Sequence, residues 1–223
     1  ACIEVPKHEA TAFGVMDIDE NRQITEFVEK PADPPTIPGN PEVSLASMGV
    51  YVFDADYLYQ LLEEDQQDEG SRRDFGMDII PKVVKQGIAY AHPFSMSCVG
   101  CKDHEDKESQ CYWRDVGTVD SFWEANMDLV AVDPQFNLYD QHWPIRTYQG
   151  QFPPAKFVFA QDFQGGRMGV ALDSIVCGGC IISGGRVQNS VLSPHVRVHD
   201  HADVRESVVM ENVVIGEHAR IRR

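Results

Sequence analysis

No run of about 18 apolar residues occurs in the 223-residue chain, so no segment is expected to cross a bilayer as a helix. Positive charge is scarce. Nineteen Lys and Arg face 35 Asp and Glu, a net charge of −16, which argues against nucleic acid and anionic membranes as general partners. Neither a G-x-G-x-x-G fingerprint nor a P-loop pattern is present, so phosphate cradles of those two kinds are not expected. The chain opens without Met and without the charged-then-apolar pattern of a secretory signal. It opens instead in what reads as a strand, residues 1–5, and a fragment of a longer, cytoplasmic protein is expected. The shortage of positive charge is also uneven. Residues 174–223 carry six Arg against five acids, a balance of +1, whereas residues 1–173 stand at −17. The two ends of the chain are thus electrostatically distinct, and the later one suits an anionic ligand better.

Six cysteines are present, Cys2, Cys98, Cys101, Cys111, Cys177 and Cys180. Cys98, Cys101, His104 and Cys111 have the residue types of a three-Cys, one-His zinc site, but the run between Cys101 and Cys111 is charged like an exposed loop. Cys177-Gly-Gly-Cys180 lies where a Gly-rich repeat needs small residues. Reduced thiols of a cytosolic protein are the expectation for all six.

In the first half, strands and helices alternate. Residues 11–16 and 23–28 read as a hairpin around the polar run 17–21, and residues 44–53 read as the strongest strand. Residues 55–64 and 77–86 have helical spacing, with Tyr57, Leu58, Leu61, Leu62, Ile79, Ile80, Val83 and Val84 inward. Residues 88–94 read as a returning strand and 118–132 as a helix capped by Thr118. This is the pattern of an α/β domain. From Pro134 to residue 172 the texture is that of a linker. The tail then repeats small-x-large pairs at Ser190/Leu192, Val196/Val198, Ala202/Val204 and Val208/Met210, six residues apart. Val213/Ile215 follows after five, and Ala219/Ile221 after six. A hexapeptide period predicts a parallel β-helix with the large residues inside.

Four places carry chemistry. Glu29 and Lys30 stand at a strand end, halted by Pro31. They read either as an exposed ion pair or as a clamp on a small polar ligand. Asp74, before Phe75 and Gly76, opens a helix and serves either as a cap or as a ligand to hydroxyls. Asp115 in Trp113-Arg114-Asp115 precedes Gly117 and a helix. It reads either as the partner of Arg114 or as a carboxylate for Mg²⁺. Ser47 places a hydroxyl beside Gly49 on the central strand. In the tail, Arg197, Arg205, Arg220, Arg222 and Arg223 read as solvated surface or as part of an anion site, and His195, His199 and His201 read as exposed turn residues.

These segments, with Gly14-Val15, Phe27-Val28-Glu29-Lys30-Pro31, residues 44–53, Trp113 to Thr118 and Trp143-Pro144-Ile145-Arg146-Thr147, occur in a fixed order before a hexapeptide tail. The ordered set resembles the bacterial ADP-glucose pyrophosphorylases, the glucose-1-phosphate adenylyltransferases of glycogen synthesis. The resemblance implies the C-terminal half of a Rossmann-like nucleotidyltransferase domain over residues 1–133, a linker over 134–172 and an incomplete left-handed β-helix over 173–223. It further implies a glucose 1-phosphate site at Gly14, Glu29, Lys30 and Ser47, with Asp74, Phe75 and Trp113 nearby. Lys30 and Asp115 would be catalytic, and Asp115 would bind the Mg²⁺ cofactor. ATP would be the second substrate, small anions the allosteric effectors and a homotetramer the assembly. The family's Gly-rich nucleotide loop and its other Mg²⁺-binding Asp do not occur in this chain, so the 223 residues alone are expected to be inactive. Two alternatives remain open: a non-catalytic regulatory subunit of the same family, and a hexapeptide-repeat acyltransferase, which would leave Glu29-Lys30 and Trp113-Arg114-Asp115 unexplained.

Overall fold

The computed structural model describes residues 1–98, 111–141, 144–161, 163 and 166–223. The chain forms two compact units, Ala1–Cys111 and Tyr112–Arg223. Cys101, His104 and Trp143 lie outside the described residues.

The first unit is built on one four-stranded sheet in the order β1-β4-β2-β3, from β1 (Cys2–Pro6), β2 (Gly14–Ile18), β3 (Ile24–Glu29) and β4 (Val43–Ser47). All pairings are antiparallel, and β3 is an edge strand. The β2–β3 hairpin turns where Asp19 Oδ1 accepts hydrogen bonds from the backbone of Asn21 (2.9 Å) and Gln23 (2.8 Å), an Asx turn. Met16, Ile24, Phe27 and Leu45 bury one face against Ile80 and Val84.

Several expected elements differ in extent; the helix expected over 118–132, for example, ends at Asp128. The strand expected over 44–53 ends at Ser47, because Gly49 takes φ +69° and the chain leaves the sheet. Val50 is then 54 % exposed and Val52 98 %. The return over 88–94 makes only single bridges, Gln23 to Tyr90 and Cys2 to Pro93, because it crosses the ends of β3 and β1 instead of running along either. The helix expected over 77–86 begins two residues earlier and changes pitch. Pro81 lacks the N–H that would continue a turn, so a single π-helical turn, Phe75–Ile79, leads into α2 (Ile80–Lys85). The inward stripe Ile79, Ile80, Val83 and Val84 is buried as the periodicity indicates. Between them α1 (Ala55–Gln67), capped by the Asp54 carboxylate on Tyr57 N, buries Leu61.

The second unit opens on α3 (Val119–Asp128), where Thr118 and Ser121 form a reciprocal capping box. Trp123 Nε1 donates to the Glu206 carbonyl at 2.7 Å, and the Arg223 guanidinium lies 3.9 Å from the Trp123 ring centroid. These contacts seat α3 on a parallel β-helix. Its strands are β5 (Lys156–Val158), β6 (Val170–Leu172), β7 (Ile175–Val176), β8 (Ile181–Ser183), β9 (Arg186–Gln188), β10 (Val191–Leu192), β11 (Arg197–Val198), β12 (Asp203–Arg205), β13 (Val208–Val209), β14 (Val214–Ile215) and β15 (Arg220–Arg222). They stack into three sheets, β7-β10-β13, β5-β8-β11-β14 and β6-β9-β12-β15. Ile182, Val187, Leu192, Val198 and Val204 fill the interior.

The coil is shorter than three full hexads. Arg197 pairs with Val214 and Asp203 with Arg220, a 17-residue step, so one corner in each of these coils loses a residue. The lost residue falls between Ala202 and Ser207, not after Val208 as the strict period predicts. Ser207 and Val209 are buried, whereas Met210 is 55 % exposed. The frame is set at this corner by a serine ladder. Ser174 Oγ accepts from Ser190 N, and Ser190 Oγ from Ser207 N, each at 3.1 Å. Each hydroxyl donates in turn to a carbonyl two residues earlier, at Leu172, Gln188 and Arg205. Ser190→Ala leaves the buried Ser207 N–H without its acceptor and is expected to cost about 1–3 kcal/mol in urea unfolding. An unchanged midpoint would show that the ladder is not stabilising.

Candidate functional site

The first unit brings Gly14, Glu29, Ser47, Asp74 and Phe75 into one neighbourhood. Glu29 ends β3 directly across from Gly14 on β2. Gly14 is buried, and a methyl group added there would meet the Phe27 ring and lie 2.7 Å from Glu29 Oε2. The Glu29 carboxylate also faces Gly76, in the π-turn after Asp74. Burial raises the Glu29 pKa, the Lys30 charge opposes that rise, and the Asp74 charge adds to it.

Lys30 follows in the left-handed region at φ +48°, with its backbone N–H donated to the Phe13 carbonyl at 3.0 Å. This twist turns it out of the ladder that Glu29 belongs to. Among the described residues no carboxylate lies within ion-pair distance of the exposed Lys30 ammonium, so Glu29 and Lys30 are not a surface salt bridge.

Ser47, at the end of β4, is buried to 8 % exposure. Its hydroxyl accepts from Gly49 N at 3.3 Å and lies 3.1 Å from the Tyr51 hydroxyl. The Tyr51 ring stacks on Phe75, with centroids 6.0 Å apart and an interplanar angle of 12°. Tyr51 therefore joins Ser47 to Phe75, a role not apparent from its place in the strand expected over 44–53. Asp74 both caps and faces the site: its Oδ1 accepts from Met77 N at 2.8 Å, and it remains exposed.

Trp113 and Asp115 belong to the second unit, in an extended run before α3. The expected alternative pairing of Arg114 with Asp115 does not form. Arg114 Nε reaches Asp128 Oδ2 at 3.1 Å, and the Tyr112 hydroxyl donates to the same oxygen at 3.2 Å. Asp115 is left exposed beside Gly117, where a glycine lets the carboxylate lie close to the backbone. Of the tail arginines, Arg205 and Arg222 flank Asp203 at 2.9 and 3.6 Å, and Arg223 is engaged by Asp120. His195 packs edge-on against Phe152, and His201 stacks on His218. Among the described residues no three His, Cys, Asp or Glu side chains converge as a metal site. None of the described helices is long and apolar enough to cross a membrane.

The first unit offers a carboxylate and a lysine at one edge of an antiparallel sheet, and a hexapeptide β-helix follows in the chain. Residues 1–131 match the nucleotidyl transferase family, and the chain belongs to it; residues 153–223 match the GlmU-like C-terminal hexapeptide family. Over all 223 residues the chain is 56 % identical to the glucose-1-phosphate adenylyltransferase of Enterobacter sp. (strain 638). It spans about half the length of that curated relative, 50 %. The nucleotidyl transferase match spans the segments that carry Glu29-Lys30 and Trp113-Arg114-Asp115, which the acyltransferase alternative leaves unexplained.

Proposed function

We propose that the protein carrying this chain is a glucose-1-phosphate adenylyltransferase, joining ATP and α-D-glucose 1-phosphate into ADP-glucose and pyrophosphate for glycogen synthesis. The observation that supports this most directly is the separation of Glu29 from Lys30: a carboxylate seated against two glycines, and beside it a cation with no ion-pair partner among the described residues. In this reading Lys30 holds the sugar phosphate as a point charge. Glu29 accepts hydrogen bonds from sugar hydroxyls. The Ser47–Tyr51–Phe75 wall and Asp74 bound the sugar, and the Gly14 backbone lines the same pocket. A phosphate oxygen of glucose 1-phosphate attacks the α-phosphorus of ATP, the α–β bridging bond breaks, and pyrophosphate leaves. The chain's contribution is positioning and charge neutralisation, with no protein nucleophile.

Nucleotidyl transferases of this kind generally use a divalent metal, and Mg²⁺ takes one or two carboxylates together with substrate phosphates and water. Asp115 fits the carboxylate place: it is exposed and carries no ion pair among the described residues. When bound, the metal would neutralise phosphate charge. A cytoplasmic homotetramer answering to small anionic effectors completes the proposal. The test is ADP-glucose and pyrophosphate formation by the full-length protein with Mg²⁺, abolished by EDTA. Turnover of a different sugar phosphate in preference, or none, would overturn it.

A further inference from the structure

The geometry points to Gly76 as a positioning residue for Glu29: its missing side chain forms one wall of the slot that fixes the carboxylate. This rests on the sugar-phosphate reading of the site. A methyl group on Gly76 would lie 2.9 Å from Glu29 Cδ, closer still to Oε2, and 3.3 Å from Asp74 Oδ1. Gly14 forms a second wall, where a methyl group would lie 2.7 Å from the same oxygen. Glu29 Oε2 thus sits where two absent side chains leave room. The φ of Gly76 is not in the left-handed region, so backbone freedom does not explain the glycine; space does.

The π-turn brings Gly76 to this place. Ile79 N reaches back five residues to the Asp74 carbonyl at 3.4 Å, while Asp78 N bonds to the same carbonyl at 2.9 Å. The widened turn lays the Phe75-Gly76 backbone against the end of β3. Phe75 meets Tyr51, and Gly76 meets Glu29, so one turn sets both the ring wall and the carboxylate.

What yields on substitution decides the outcome. The atoms a Gly76 methyl group would strike are the end of a flexible Glu side chain and a surface carboxylate oxygen, not backbone. Gly76→Ala should therefore fold normally and push the Glu29 carboxylate aside. In the full-length enzyme we expect the KM for glucose 1-phosphate to rise about tenfold, the scale of one charged hydrogen bond, with the KM for ATP within about twofold and the thermal midpoint unchanged. In a Glu29→Ala background, which has no carboxylate to displace, Gly76→Ala should add nothing. Equal effects in both backgrounds, or equal effects on both substrates, would overturn the inference. A crystal structure of Gly76→Ala separates this inference from the function on which it rests. A displaced Glu29 over an unmoved 74–78 backbone supports the slot whichever substrate the enzyme takes, and an unmoved Glu29 refutes it.

Discussion

Lys30→Gln in the full-length protein raises the KM for glucose 1-phosphate about ten- to hundredfold and leaves that for ATP within about twofold, the expected loss of one charge-assisted bond to phosphate. The reasoning is local. Glutamine keeps a hydrogen-bond donor near the same place but removes the charge. Lys30 has no carboxylate partner among the described residues, so its removal strands no buried group and leaves stability unchanged. Its left-handed backbone, φ +48°, is carried equally by both residues, so the comparison isolates the charge. Steady-state kinetics with each substrate varied in turn would measure it. Equal changes in both KM values would place Lys30 outside the sugar-phosphate site, and a fall in the thermal midpoint would make it a structural residue.

Leu192→Ala is expected to cost about 2–5 kcal/mol. Leu192 is fully buried on β10, between β7 and β13, in the cluster with Val187, Val196 and Val209. Each coil of a solenoid contacts only its neighbours, so the cavity is shared by two interfaces and cannot be filled from elsewhere. Met210→Ala is the matched control. A strict six-residue period makes Met210 an interior residue, but it is 55 % exposed, and its truncation should stay within about 0.5 kcal/mol. Urea unfolding of the two variants reads the difference directly. Comparable losses would restore Met210 to the core and contradict the shortened corner.

Much of this molecule is legible in one dimension. The serine, alanine and valine positions of the tail, each two residues before a larger apolar one, mark the interior because a β-helix repeats the same local environment at every corner. The helical stripe of α2 is equally local, whereas of the four residues expected inward on α1 only Leu61 is buried and Leu62 stays exposed. The failures are local rules overridden by contacts. Val50 and Val52 have strand composition, yet Gly49 turns the chain away after Ser47. Pro81 was visible inside an expected helix, and its consequence was a π-turn that periodicity cannot register. Arg114 sits next to Asp115 in sequence, but Asp128, on the last turn of α3, offers it the better geometry.

The site divides in the same way. The amino-acid sequence alone determined that a carboxylate and a lysine stand together at a strand end, that a serine follows on the neighbouring segment, and that a hexapeptide helix closes the chain. Adjacency along the chain and strict periodicity need no knowledge of the fold. Only the tertiary structure decided that Glu29 and Lys30 do not pair, that Tyr51 bridges Ser47 to Phe75, and that Gly76 walls the Glu29 slot. Gly76 and Glu29 lie far apart in sequence, and what brings them together is the docking of a π-turn on an edge strand. A glycine chosen for the space it leaves carries no pattern of its own; its meaning comes from the side chain that occupies that space.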